Sequence, residues 1–271
     1  MQAVGASRIE WLAEGVAADI TLPADAIATD AAEAARAVLA SASVDVAVQE
    51  ASGRRKKLLI ADMDSTMIDQ ECIDELADEV GLKDKVADIT ARSMNGEIAF
   101  EPALRERVAL LAGLETSVIS RIIQNRITLA SGGRTLVATM KASGAWTALV
   151  SGGFLSFTAP VAEKLGFQEN RGNQLLEENG RLLGKVGEPI LGREAKATAL
   201  TEICARLGIT PEDAIAVGDG ANDLDMLALA GSGVALHAKP TVAAQAKIRI
   251  DHSDLTALLY LQGYRREEFV E

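Results

Sequence analysis

Short apolar runs alternate along the chain with longer segments whose apolar residues recur every three or four positions. Such runs predict strands, and the longer period predicts helices. The predicted strands are 57–63, 146–150, 214–217, 233–236 and 247–250, with a further strand region at 167–187 that turns at Asn179-Gly180. The predicted helices between them are 136–141, 157–165, 195–207 and 223–229. This alternation indicates an α/β fold with a doubly wound, Rossmann-like parallel sheet.

The alternation of strands and helices is interrupted by a long segment between the first two core strands. Residues 72–134 carry helical stripes, among them Leu104, Val108 and Leu111, and contain no convincing strand. We therefore expect a helical cap, inserted at about 72–134 into a catalytic core that spans 56–271.

The first 53 residues form a separate unit in the pattern. The stretches 8–13, 17–22 and 44–48 alternate like strands, and 30–42 is rich in alanine with a helical period. We expect a small N-terminal α/β segment over 1–53, which is short for an independent core.

The net charge of the chain limits the classes of macromolecule that we expect it to bind. The chain of 271 residues has a net charge of −12, whereas a nucleic-acid surface needs clustered Lys and Arg. The basic run at 54–57 is either a nucleic-acid patch or a solvated junction, and the acidity of the chain favours the junction. We expect no nucleic-acid partner.

Cysteine usage and the amino terminus indicate the compartment. Cys72 and Cys204 stand far apart without a CxxC pattern, which is typical of a reducing cytosol. We see no basic and apolar signal segment, and no apolar run is long enough to span a bilayer. We expect a cytoplasmic protein with no membrane partner, and the sequence leaves its oligomeric state open.

Two aspartates end the first strand of the predicted core. Asp62 and Asp64 lie two residues apart, so on a strand both side chains point into the cleft where open α/β sheets bind ligands. Carboxylates this close repel each other unless a cation or a proton lies between them. The pair predicts a hard metal ion and a division of roles between a nucleophile and an acid/base.

Three further candidates follow along the chain. Ser151-Gly152-Gly153 comes after a strand as a predicted turn, with a hydroxyl and backbone N–H groups that suit a phosphate. Lys196 lies near the start of a helix, and Asp219 and Asp223 follow another strand with the oxygen ligands that Mg²⁺ prefers. Each alone is commonly an ordinary turn, cap or solvated charge, but their combination predicts one phosphate site.

These motifs resemble those of the haloacid dehalogenase-like superfamily of phosphotransferases. Asp62-Met63-Asp64-Ser65-Thr66 matches its first motif, Ser151 its second, Lys196 its third and Gly218-Asp219-Gly220-Ala221-Asn222-Asp223 its fourth. Within the superfamily the chain is most similar to the phosphoserine phosphatases. That family carries a Glu after the first motif, here Glu71, and a Phe and an Arg in the cap, here Phe100 and Arg107. The resemblance covers about residues 56–260.

The resemblance implies Mg²⁺-dependent hydrolysis of O-phosphoserine, the last step of serine biosynthesis, through an aspartyl-phosphate. Asp62 would attack phosphorus, Asp64 would act as the acid and then the base, and Lys196 would offset charge. The implied metal ligands are Asp62, the main chain of Asp64, and Asp219, supported by Asp223. The implied substrate contacts are Ser151, Gly152 and Asn222 at the phosphate, Glu71 at the ammonium, Arg107 at the carboxylate, and Phe100 and Met94 along the wall.

Alternatives stay open for the specificity residues and for the activity. Without the resemblance, Glu71 reads as an acid at a helix start, and Arg107 as a solvated residue or a partner of Glu101. The chain could also be a phosphotransferase, a phosphatase for another amino-alcohol phosphate, or a catalytically silent module that senses phosphorylated metabolites.

Overall fold

The computed structural model describes residues 4–5, 8–94 and 97–271, apart from the side chain of Met94. Its strands are β1 (Arg8–Ala13), β2 (Ala17–Thr21), β3 (Leu58–Ala61), β4 (Trp146–Phe154), β5 (Glu169–Asn173), β6 (Leu175–Glu178), β7 (Arg181–Val186), β8 (Ala214–Gly218), β9 (Ser232–Leu236) and β10 (Ile248–Ile250). Its α-helices are α1 (Ala28–Val38), α2 (Cys72–Asp78), α3 (Lys83–Met94), α4 (Phe100–Ala109), α5 (Ser117–Asn125), α6 (Gly133–Ala142), α7 (Leu155–Leu165), α8 (Arg193–Leu207), α9 (Leu224–Leu229), α10 (Pro240–Ala243) and α11 (Ala257–Leu261). Among the described residues, no helix combines the length and the apolar character that crossing a bilayer requires.

One parallel sheet of six strands organises the core, in the order β10-β9-β8-β3-β4-β5. Its central strands β3 and β8 are buried along their whole length, as expected for strands covered on both faces. Leu59 and Ala61 pack into the apolar cluster that includes α6 and α7, whereas Leu58 and Ile60 pack into the cluster that includes α8 and α9. The predicted α/β fold is confirmed, and the carboxyl ends of the strands meet at one edge of the sheet.

The end of β4 differs from the prediction. The sequence predicts a turn at 151–153, but β4 continues to Phe154, which pairs with Asn173 of β5 after an irregularity in the register. The Asn173 amide nitrogen donates to the Gly152 and Leu191 carbonyls (2.8 and 3.1 Å), and its oxygen accepts from the Leu191 N–H (2.7 Å). The turn prediction is wrong because a local Ser-Gly-Gly pattern cannot reveal this distant partner.

Helices α2–α5 lie between β3 and α6, in the segment where the sequence predicts helices. The hairpin β6–β7 packs against this segment, because the Gly113 N–H donates to the Leu182 carbonyl and the Leu182 N–H to the Leu114 carbonyl (2.8 and 2.9 Å). Asn179 and Gly180 form its turn with φ of 52° and 74°, the left-handed pair that the Asn-Gly signal predicts. The region over the cleft therefore combines helices with a hairpin, and the division of the chain into domains stays a prediction.

In the N-terminal segment, the alternating stretches at 8–13 and 17–22 contain β1 and β2, which pair as an antiparallel hairpin, and α1 follows them. The strand predicted at 44–48 is wrong, because these residues pair with no strand in the part of the chain that the structure describes. Asp45 instead accepts hydrogen bonds from the backbone N–H groups that follow β10, those of Asp251, His252 and Ser253 (2.7, 3.2 and 2.8 Å). The Asp45 side chain, rather than a ladder of backbone hydrogen bonds, therefore holds residues 44–48 against the core.

The basic run at 54–57 is bonded within the chain. Its side-chain contacts include Arg54 to Asp19 (2.5 Å), Arg55 to Glu268 (2.7 Å), Lys57 to Asp213 (3.0 Å) and Lys56 Nζ to the Glu212 carbonyl (2.8 Å). These contacts join the N-terminal segment and the core, which favours the junction interpretation of the run.

Replacing Asp45 by alanine removes the acceptor shared by three backbone N–H groups, so we expect a loss of about 1–3 kcal/mol in the free energy of unfolding. Urea denaturation followed by circular dichroism measures it. Glu33→Ala, at an exposed position of α1, is the matched control and should change stability by less than about 0.5 kcal/mol. Equal stability of Asp45→Ala and wild type would contradict this role of Asp45.

Candidate active site

The residues singled out in the sequence converge on one pocket at the carboxyl edge of the sheet. Its lining includes Asp62, Asp64, Glu71, Phe100, Arg107, Ser151, Gly152, Asp219 and Asn222, together with Ile73, Thr90, Ser93, Leu104, Gly153 and Phe154. Loops after β3 and β8 and the end of β4 supply the floor, and α2, α3 and α4 supply the opposite wall. The Met94 side chain lies outside the described residues, so its place in the pocket stays a prediction.

Lys196 lies beneath the pocket rather than in its wall. Its side chain is fully buried, and Nζ is 2.7 Å from Asp62 Oδ1 and 2.6 Å from Asp223 Oδ1. Burial alone would lower the pKa of Lys196, but the two carboxylates outweigh burial and raise it. Lys196 is therefore held as a cation against Asp62, where it offsets the negative charge of that carboxylate.

Three buried carboxylates form a cluster that suits a cation. One oxygen from each of Asp62, Asp219 and Asp223 lies within 4.8 Å of the others. Asp62 Oδ1 receives no hydrogen bond of acceptable geometry despite its closeness to Lys196. Burial, together with the charge of Asp62, raises the pKa of Asp219 and raises that of Asp223 to about 7. Crowded oxygens with one left unsatisfied fit a hard divalent cation, which takes oxygen ligands.

The three carboxylates are not equally free to bind that cation. Asp223 already uses Oδ1 on Lys196 and accepts from the Gly220 N–H with Oδ2 (3.1 Å). The geometry therefore favours Asp62 and Asp219 as ligands, with Asp223 as their support. The side chain of Asp64 does not belong to the cluster.

Asp64 stands on the other side of the pocket floor. Its Oδ1 accepts from the Cys72 N–H (3.1 Å), and a Cβ placed on Gly153 would lie 2.8 Å from its Oδ2. Burial, and then the charges of Glu71 and Asp62, raise the pKa of Asp64 well above its ordinary value. A carboxyl group whose pKa is raised keeps its proton to a higher pH and can donate that proton to a leaving oxygen.

The Ser151-Gly152-Gly153 segment brings backbone close to the pocket. A Cβ on Gly152 would lie 2.9 Å from the Phe100 ring, so only glycine fits beneath that side chain. The Gly153 N–H donates to Ser151 Oγ (2.8 Å), which leaves the hydroxyl proton of Ser151 for a ligand.

Glu71 and Arg107 bring opposite charges to the wall of the pocket. Glu71 makes no helix-capping hydrogen bond and instead accepts from Ser65 Oγ (2.8 Å). Burial raises the pKa of Glu71 to about 7, although the Ser65 hydrogen bond opposes this. Arg107 is 6% exposed and, among the described residues, forms no ion pair, so the alternative pairing with Glu101 is not formed.

Several residues at the site were given no role from the sequence. Thr66 Oγ1 donates to Asp219 Oδ1 (3.4 Å), and Lys239 Nζ lies 3.6 Å from Asp219 Oδ2. Lys239 follows β9, so the strand-end rule that found Asp219 could have found it too. Thr90 hydrogen-bonds Arg107 across two helices, and no sequence signal marks it.

Residues 59–228 match the model of the haloacid dehalogenase-like hydrolases. The chain belongs to this family, as its motifs predicted. Its similar relatives include the phosphoserine phosphatase of Albidiferax ferrireducens, 48% identical over 210 residues that cover 76% of this chain and 89% of that protein. The phosphoserine phosphatase of Streptomyces coelicolor is 42% identical over 231 residues, 84% of this chain. The chain spans 56% of the length of that relative.

A solved structure described as a substrate-bound phosphoserine phosphatase complex shares the fold of this chain. It superimposes with a TM-score of 0.72 and 39% identity, over 76% of this chain and 97% of that chain.

The metal-free protein should lose stability as the pH rises from about 4 to about 7. The pKa values of Asp223 and Glu71 are each raised to about 7, so the folded state holds protons that the unfolded chain releases near pH 4. Because the folded state binds more protons in this window, raising the pH favours unfolding. Thermal melts in a chelator between about pH 5 and about pH 8 measure the trend.

The double variant Asp223→Asn, Glu71→Gln is the control for this trend, since it removes both groups and should weaken the pH dependence, of which Asp64 and Asp219 keep a part. A divalent cation should raise the melting temperature of wild type more at high pH than at low pH, because it competes with protons. A melting temperature that rises with pH across the window would contradict the assignment.

Proposed function

We propose that this chain hydrolyses O-phosphoserine to serine and inorganic phosphate with Mg²⁺ as its cofactor, the last step of serine biosynthesis. One observation carries the proposal: Asp62 and Asp64 share a pocket with Glu71 and Arg107. The first pair suits phosphoryl transfer, and the second suits the ammonium and carboxylate of an amino acid. The phosphoserine phosphatases among its relatives support the same substrate.

The chain's own residues account for the bonds made and broken. Asp62 attacks phosphorus, and a new P–O bond forms as the bond to the serine oxygen breaks. Asp64 gives its proton to that departing oxygen. In the second step Asp64 takes a proton from water as the water attacks the aspartyl-phosphate, which releases phosphate and restores Asp62.

Offsetting negative charge is the main requirement of the first step, since a carboxylate must approach a phosphate. Lys196 lies against Asp62, and Ser151, Gly152 and Asn222 line the pocket where the phosphate would bind. When bound, Mg²⁺ would add Lewis-acid charge stabilisation at the phosphate oxygens. The residues that would hold it are Asp62, the main chain of Asp64, and Asp219, with Asp223 in support.

The residues that select the serine part of the substrate lie in the pocket wall formed by α2, α3 and α4. Arg107 can bind the substrate carboxylate through its forked N–H groups, and Glu71 can pair with the ammonium. The Phe100 ring lines the pocket and lies against Gly152 and Gly192, and Met94 would extend the same wall. Closure of these helices over the substrate would exclude water from the reacting atoms.

The site favours neither a phosphotransferase nor a silent sensor. A phosphotransferase would use the same floor with another acceptor, but the opposite charges of Glu71 and Arg107 suit an amino-acid substrate. A silent sensor of phosphorylated metabolites would not need Asp62 held against a buried cation with an oxygen left unsatisfied.

Replacing Arg107 by methionine should lower kcat/KM for phosphoserine roughly 10- to 100-fold, because a hydrogen-bonded charge on the substrate loses its partner. Hydrolysis of phosphoethanolamine, which has no carboxylate, should change little. Phosphate release measured on both substrates tests this.

Arg105→Met is the matched control, since Arg105 lies on the same helix but pairs with Glu188 at the surface (2.5 Å). It should leave the ratio between the two substrates unchanged. Equal wild-type rates on phosphoserine and phosphoethanolamine would contradict the proposed substrate.

A further inference from the structure

Arg107 is held in the wall of the pocket by one side chain from a neighbouring helix. Its Nε donates to the Ala103 carbonyl of its own helix α4 (3.2 Å), and its Nη1 donates to Thr90 Oγ1 on α3 (2.9 Å). No other described residue accepts a hydrogen bond from the guanidinium. Thr90 is therefore the contact that fixes the guanidinium from outside α4.

The Thr90 hydroxyl can act only as an acceptor toward Arg107. A hydroxyl has one proton, and that of Thr90 is donated to the Val86 carbonyl one turn earlier (2.9 Å). Its lone pairs are thereby left for Arg107. Thr90 is 8% exposed, so water competes little for this contact.

The arrangement leaves the substrate side of the guanidinium free. An arginine has five N–H donors, and two of them are used here, so three are left for a ligand. Thr90 and Arg107 both line the pocket that holds Asp62 and Glu71. A wrong orientation of the Arg107 guanidinium would misplace a bidentate contact, because guanidinium and carboxylate bind each other in a shared plane.

We propose that Thr90 is a positioning residue for substrate selection, which holds Arg107 so that its free N–H groups meet the substrate carboxylate. The inference rests on the proposed function, because it takes Arg107 as the group that binds the carboxylate. It adds a residue outside every motif, on a different helix from Arg107.

The test is Thr90→Val, which keeps the branched shape and removes the acceptor. We expect the KM for phosphoserine to rise roughly tenfold or more, since a buried charged donor loses its partner, while kcat changes by less than about twofold. The kcat/KM for phosphoethanolamine should stay within about twofold of wild type, because that substrate has no carboxylate to misplace. Thr90→Ser keeps the hydroxyl and should restore the KM for phosphoserine.

Thr201→Val is the matched control. Thr201 also donates to the carbonyl one turn earlier, that of Ala197 (3.0 Å), but it is exposed on α8 and accepts no hydrogen bond from an arginine among the described residues. Thr201→Val should leave the kcat and KM for both substrates unchanged. If Thr90→Val does not fold, Thr90→Ala carries the same comparison.

The outcomes separate this inference from the function on which it rests. A Thr90→Val enzyme that loses activity on both substrates alike, or that Thr90→Ser does not rescue, shows a merely structural role and contradicts the inference. Wild type that prefers phosphoserine, with an unchanged preference in Thr90→Val, contradicts the inference alone. Wild type without a preference for phosphoserine contradicts both the inference and the proposed function.

Discussion

The buried ammonium of Lys196 is the contact on which the rest of the site depends. It lies within 2.7 Å of Asp62 and Asp223 in the interior, where unpaired carboxylates are costly. Removing one partner of such a buried pair typically costs about 3–5 kcal/mol, since the remaining charge is uncompensated. A Cβ on Gly218 would lie 2.4 Å from the Asp223 carboxyl carbon, so the position of Asp223 also requires the glycine that begins the motif.

The parallel sheet explains why these groups meet at all. β3, β4 and β8 are neighbours, so residues that follow them arrive at one edge although they are far apart in sequence. Helix α8 then carries Lys196 beneath that edge, with Leu200 and Ile203 packed under the sheet. The groups for which we propose catalytic roles thus stand on the most buried elements of the molecule, while Glu71 and Arg107, for which we propose substrate selection, lie at the start of α2 and on α4. Chemistry and specificity are built from different parts of the fold.

Patterns in the sequence predicted the features that are local or repeated. The apolar runs at β3 and β8 predicted strands of the sheet, and the Asn-Gly pair predicted the hairpin turn. The aspartates at the strand ends predicted where the candidate site lies. Features that depend on a distant side chain were missed or wrong. Asn173 extends β4 beyond its apparent turn, Asp45 replaces an expected strand, and Thr90 holds Arg107 without belonging to any motif. The hydrophobic periodicity of the sequence cannot identify any of these three contacts, because it describes one helix or strand at a time.

That Asp62 becomes phosphorylated during turnover is tested most directly by trapping. The enzyme would be mixed with ³²P-labelled phosphoserine, quenched in acid during turnover and digested, and the labelled peptide sequenced. Label on the peptide that contains Asp62, absent from a folded Asp62→Asn variant that releases no phosphate, is the predicted result. Label on a different residue, or phosphate release by Asp62→Asn at the wild-type rate, would contradict it.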